Sequence, residues 1–272
     1  IGHDAAAKAV RIGEQVVSRV SSLLAKSGSA PFTETSIEVI GAESSYGSNS
    51  RALGAREVVL KIAAKHDDPK ALELLVREFT SAGTSMAPGF TGMGGNRPKV
   101  MPLVRLFSLA VDKALVDGQV HAEVDGQNVS IQTTGTALPR SIDAAATTPV
   151  PEGAIDTAHF TTVPLIELAW GRSGDKGNHA NIGIVARQPE YLPYIKRTLQ
   201  PELVAKLFEH YGPADVKRFD LPGIQGLNFM LYDVLGGGGI ASLRNDPQGK
   251  GYAQILLGVE IPVPVGVVGS KA

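Results

Sequence analysis

The sequence predicts an α/β (α+β) protein of two domains, with mixed sheets and helices packed on one face. Three observations predict it. The 272 residues exceed the roughly 100 to 200 of a typical single domain. Helical and strand periods alternate along the chain instead of segregating. A stretch rich in Thr, Ala and Pro without any period, residues 133–158, divides it. An α/β sandwich is expected over 1–140, a linker over 141–158 and a second domain over 159–272.

In the first domain, residues 4–26 place Val10, Gly13, Val17, Val20 and Leu24 at steps of three or four, the stripe of an amphipathic helix. SIEVIGA (36–42) and REVVLKIAA (56–64) read as strands; in the second, Val58, Leu60, Ile62 and Ala64 alternate with charged residues. Asp68 then offers a cap and Pro69 a first helical residue, with Leu72, Leu75, Val76 and Phe79 as the apolar face until Gly83. The long Gly- and Pro-rich stretch 84–102 carries Arg97 and Lys99. LVRLFSLAV (103–111) reads as a strand, and VHAEVDGQNVSIQT as a hairpin turning at Asp125-Gly126. The second domain reads as strand (162–170), loop (171–180), strand (181–187), helices (189–211), strand (214–220), helix (223–235), glycine loop and strand (252–263).

Composition excludes much chemistry. With no Cys there are no disulfides, thiolate metal sites or cysteine nucleophiles, and cytosol is the default location. A net charge of -1 with scattered Lys and Arg gives no footprint for nucleic acid or an anionic membrane, and no apolar run reaches the ~20 residues of a spanning helix. The chain opens on Ile, not Met, and is expected to be the trailing part of a longer polypeptide. Nucleophile-elbow, P-loop and GxGxxG patterns are missing, and no two of the six His are spaced i,i+4, so neither a cofactor nor a metal is implied.

Three polar clusters remain. RSGDKGNHANIG (172–183) crowds Gly, Asp, Lys and Asn between two apolar runs: its glycines allow backbone N–H groups to converge on an anion, and Lys176 supplies a point charge. LNFMLYDVLGGGGIASLR (227–244) sets Asn228 in apolar surroundings before four glycines, which permit close backbone approach to a ligand. RNDPQGKG (244–251) adds Arg244, Asp246, Gln248 and Lys250. Each alone also reads as a solvated turn. Glu43 and Tyr46 in GAESSYG (41–47) read as strand-end packing.

In order and spacing these segments, together with IGHDAAAKA, AREVVLKIA and ELLVREFTSAGTSMAPG, resemble the C-terminal portion of the acyclic terpene utilisation (AtuA-like) family. The resemblance implies a ferredoxin-like C-terminal domain, a larger N-terminal region and a setting among enzymes of branched or terpenoid acyl-CoA catabolism. Matching positions are Ser173, Gly174, Asp175, Lys176, Gly177, Asn178 and Asn181, then Asn228, Gly236 to Gly239, Arg244, Asp246, Gln248 and Lys250. The expected function is hydratase- or lyase-type proton chemistry on an acyl-CoA or small carboxylate. Asp175 and Asp246 are the proton-moving groups, while the other residues, Gly237 and Gly238 among them, bind substrate. The alternative is a non-catalytic module that docks on an acyl-CoA carboxylase or on its own missing N-terminal region. Long apolar strands predict a homo-oligomer. The three clusters are expected to meet at one edge of the sheet.

Overall fold

The computed structural model describes residues 1–92, 98–116, 119–130 and 160–268. The linker expected at 141–158 and Arg97 lie outside the described residues. By contact the chain forms two units, Leu106–Pro149 and the remainder. In the smaller unit the hairpin forms as expected: β3 (His121–Val124) pairs with β4 (Gln127–Ser130), and Asp125 and Gly126 both have positive φ, as a type I′ turn demands. The strand expected at 103–111 is absent. These residues adopt no regular structure, and Leu106 and Phe107 are 75% and 83% exposed, because no partner strand among the described residues pairs with them.

The larger unit begins with α1 (Ala5–Lys26), β1 (Glu34–Ile40), β2 (Val59–Lys65) and α2 (Pro69–Ser85). Of the expected stripe of α1, Gly13, Val20 and Leu24 are buried and Val17 is half-buried, while Ile12 and Val16 join the buried face and Val10 is exposed. α1 and α2 share a small core with Leu60 and Ile62 of β2. As expected, Asp68 caps α2 by accepting the Lys70 N–H at 2.9 Å, worth about 1 kcal/mol. The helix runs through Gly83 to Ser85, because Ala82 packs into the core and extends the buried face.

From residue 160, β5 (Phe160–Pro164) leads into the short α3 (Leu165–Leu168), then β6 (Ala169–Lys176) and β7 (His179–Ala186). Two short helices follow, α4 (Leu192–Thr198) and α5 (Pro201–Leu207), then β8 (Asp215–Leu221) and β9 (Gly226–Tyr232). After a long loop come α6 (Tyr252–Leu257), β10 (Glu260–Pro264) and α7 (Val265–Val268). Strands pair antiparallel in a four-stranded sheet of order β6-β7-β9-β8, with β10 against β5 beside it. Helices cover one face, where Ile182, Ile184, Leu227, Phe229 and Leu231 meet Ile195, Phe208, Leu256 and Leu257 in one buried core.

Two expected elements change type. The helix expected at 223–235 is β9: Leu227, Phe229 and Leu231 are fully buried while Asn228, Met230 and Tyr232 between them are half-buried, a period of two. The strand expected at 252–263 is a helix followed by a strand, broken at Gly258, because the first half packs on β6 and only the second pairs with β5.

Candidate functional site

The expected loop 171–180 is a hairpin. Eight residue pairs run from Ala169 opposite Ala186 to Lys176 opposite His179, leaving Gly177 and Asn178 as the turn. Gly177 has φ +66°, which suits the first central position of a type II′ turn. Ser173 is therefore a strand residue. Its buried hydroxyl donates to the Lys250 carbonyl at 3.0 Å and accepts the Ala253 N–H at 2.9 Å, fastening β6 to the start of α6.

The glycine run folds onto this turn. Asn178 accepts the Gly237 N–H at 2.7 Å on its side-chain oxygen, donates to Asp233 at 3.1 Å, and accepts the Leu235 N–H on its main-chain carbonyl. Gly238, at φ +84°, comes so close that a Cβ there would lie 2.8 Å from the Gly177 carbonyl oxygen. Asp233 in turn donates its N–H to His179 at 2.9 Å. The first two clusters thus share one set of hydrogen bonds.

The third cluster joins them through Lys250. Its Nζ is 3.7 Å from Asp175 Oδ1 and would be 2.9 Å from a Cβ on Gly174. A Cβ on Gly239 would stand 3.1 Å from the Gln248 side chain and 3.6 Å from Asp175 Oδ2. A carboxylate, an ammonium and a carboxamide therefore gather where two glycines leave room. Both Asp175 and Lys250 reach solvent. Asp246 lies behind them and accepts the N–H groups of Lys250 at 2.9 Å and Gly251 at 2.7 Å, so its two oxygens hold the Lys250 segment in place.

Lys176, Asn181 and Asn228 lie on the sheet face away from the helices. Lys176 Nζ donates to Asn181 Oδ1 at 3.0 Å, and Asn181 Nδ2 donates to Asn228 Oδ1 at 3.1 Å. Asn228 thus sits on a strand, not in a helix, and braces β7 against β9.

Arg244 does not join this group. Its guanidinium lies 4.4 Å over the Tyr211 ring, donates to the Tyr211 carbonyl at 3.4 Å and also bonds the Val234 carbonyl. Tyr252 stacks on Tyr211 with centroids 5.2 Å apart; burial raises both phenols above their ordinary pKa, Tyr252 strongly, and the Tyr252 hydroxyl makes no hydrogen bond of full geometry despite the Arg244 charge nearby. His210 Nε2 meets the Ser45 carbonyl at 3.0 Å, and loss of hydration holds its pKa below the ordinary value. A cleft of about 400 Å³ opens between Tyr46, Asn245, Asp246 and Gln254. Sequence reading missed His210, Tyr211 and Tyr252, since a lone His and two isolated Tyr carry no spacing signal. A wider cleft of about 880 Å³ lies between the end of α1 and the start of α2, remote from these groups.

Among the described residues no three His, Asp or Glu converge as a metal site, and no helix is long and apolar enough to cross a membrane. The architecture defines an α/β protein whose C-terminal part is a ferredoxin-like domain with one sheet face that no element among the described residues covers. Residues 163–262 match the AtuA ferredoxin-like domain, and residues 1–122 match the acyclic terpene utilisation family protein AtuA. The chain belongs to the acyclic terpene utilisation family. No curated protein and no solved structure matches it.

Proposed function

We propose that the chain serves acyclic terpene catabolism by binding an acyl-CoA or related carboxylate beside Asp175, which moves a proton next to the thioester carbonyl. The observation that carries this reading is the meeting of Asp175, Gln248 and Lys250 around Gly174 and Gly239. A carboxylate that reaches solvent serves as base, and an ammonium beside it stabilises the enolate oxygen that forms when the proton leaves. Gln248 supplies a second donor, and Asp246 fixes the backbone of Lys250. The test is solvent-deuterium uptake at the α-carbon of a panel of branched acyl-CoA thioesters, followed by mass spectrometry on the full-length protein. Uptake by wild type and its loss in Asp175→Asn are expected. No uptake from any thioester by wild type overturns the reading.

The exposed run Leu103, Val104, Leu106, Phe107 and Leu109 favours a second reading, a module that docks on a partner or on a second copy. Light scattering that shows only a 28.5 kDa species at micromolar concentration would remove the second-copy form of it.

A further inference from the structure

The uncovered face of the four-stranded sheet has an order that the proton-moving cluster does not use. The register sets its side chains in rows. Arg172 lies beside Gly183, Asn228 and Phe219; Gly174 lies beside Asn181, Met230 and Lys217. Trp170 is beside Val185 one row above, and Lys176 beside His179 one row below. Trp170 is 55% and Phe219 46% exposed. The floor at Gly183 is open: a Cβ there would meet nothing nearer than the Arg172 carbonyl oxygen at 3.8 Å.

Three cations border that floor along β6. Lys250 Nζ lies over Gly174, Lys176 Nζ is held at Asn181, and Arg172, exposed between Trp170 and Gly174, makes no hydrogen bond or ion pair among the described residues. Neighbours on one face of a strand are about 7 Å apart, so Arg172 and Lys176 are anchored about 14 Å apart with Lys250 between them, a length that takes a diphosphate and a separate ribose phosphate. The negative groups nearby are few. Asp175 faces Lys250 from the strand edge, Asp215 pairs with Lys217 on the far strand, and Asp233 is engaged by Asn178 and His179.

From this arrangement we infer that the open sheet face binds the nucleotide end of coenzyme A. The base stacks on the Gly183 floor beside Trp170, its polar edge meets the Asn181–Asn228 amides, and the phosphates lie along Arg172, Lys176 and Lys250. The inference rests on the acyl-CoA reading and extends it, because Lys250 belongs to both sites: it crosses the β6 edge from the phosphates to Asp175. A flat glycine floor suits a planar ring, exposed aromatic rings stack on it, and charge-assisted bonds to phosphate give the affinity. A single-stranded nucleic acid offers the same base and phosphate chemistry, but the net charge of -1 gives no extended basic track for a polymer.

Trp170 is the one tryptophan of the chain, so its fluorescence reports this face directly. Coenzyme A and ADP are expected to quench it in a saturable way, while pantetheine, which lacks the nucleotide, leaves it unchanged. Arg172→Ala and Lys176→Ala should each weaken coenzyme A by about tenfold, the effect of losing one charge-assisted bond. Gly183→Val adds a side chain to the floor without touching any charge; it should abolish quenching while circular dichroism stays that of wild type. Quenching that survives Gly183→Val, or equal quenching by pantetheine, overturns the assignment. Tighter binding of a single-stranded oligonucleotide than of coenzyme A overturns it in favour of a polymer. Saturable nucleotide binding without deuterium uptake would sink the proton-transfer reading alone, and uptake from acyl-pantetheine with no nucleotide binding would sink this one alone.

Discussion

The two parts of the larger unit are held together in different ways. The N-terminal layer rests two helices on a two-stranded sheet, its buried core is Ile12, Val16, Val20, Leu24, Ala71, Leu75 and Ala82, and every β2 residue keeps some exposure. The C-terminal domain closes a four-stranded sheet over a core that includes Phe229, Leu227, Ile182 and Tyr252, all at or below 1% exposure. A two-stranded sheet is marginal by itself, whereas four strands under a helical layer bury enough to stand alone. No buried residue is common to the two cores. The candidate chemistry sits on the better-packed part, where a rigid sheet fixes the spacing of Gly174, Asp175 and Lys176.

Truncation at the centre of each core sharpens this contrast. Phe229→Ala should cost about 3 to 5 kcal/mol and move the urea transitions of both Trp170 fluorescence and far-UV circular dichroism. Leu75→Ala should cost about 2 kcal/mol and move the circular dichroism alone, since Trp170 lies on β6, in the other part. Coincident shifts of both signals in Leu75→Ala would show one cooperative unit and break the comparison. A smaller effect comes from the loop that joins the sites. Asp246→Ala leaves two N–H groups before α6 without their acceptor, and a fall in stability of about 1 to 2 kcal/mol is expected in thermal unfolding.

The smallest effect is at the seam between the parts. Burial lowers the folded-state pKa of His210, so the unfolded chain binds a proton more readily than the folded one. Stability from this group is fully present above the ordinary histidine pKa near 6.5 and is lost as pH falls below it toward the depressed value. A drop from pH 7.5 to 5.5 should therefore destabilise wild type more than His210→Gln; equal slopes would show that the burial of His210 carries no such linkage.

The two N-terminal helices were legible in the sequence because each buries one face, Ile12, Val16, Val20 and Leu24 on α1 and Ala71, Leu75 and Ala82 on α2. β6 was not, for a packing reason. Its core-facing positions after Ala169 are Gly171, Ser173 and Asp175, small or polar because α6 lies so close that a Cβ on Gly171 would be 3.1 Å from Leu257. The strand therefore shows no apolar alternation. β9 failed in the opposite way: Met230 and Tyr232 on the open face are as apolar as the core residues between them, which erases the period of two. Of the site, the meeting of turn, glycine loop and Lys250 was expected from the gathering of loops at one sheet edge. The place of Arg244 was not legible, since a guanidinium at a loop end reads alike whether it faces a ligand or a tyrosine ring.

The bond from Lys61 Nζ to the Leu243 carbonyl, 2.7 Å long, joins residues 182 positions apart. During synthesis at roughly 5 to 20 residues per second, Leu243 is made some 10 to 40 seconds after Lys61. For that interval the N-terminal layer exists without its seam, with Lys61 held by Glu38 alone at 2.6 Å. A nascent chain halted between these residues would present the Glu38–Lys61 side of its small sheet to any chaperone in reach, and release would wait on the arrival of the segment after the glycine run.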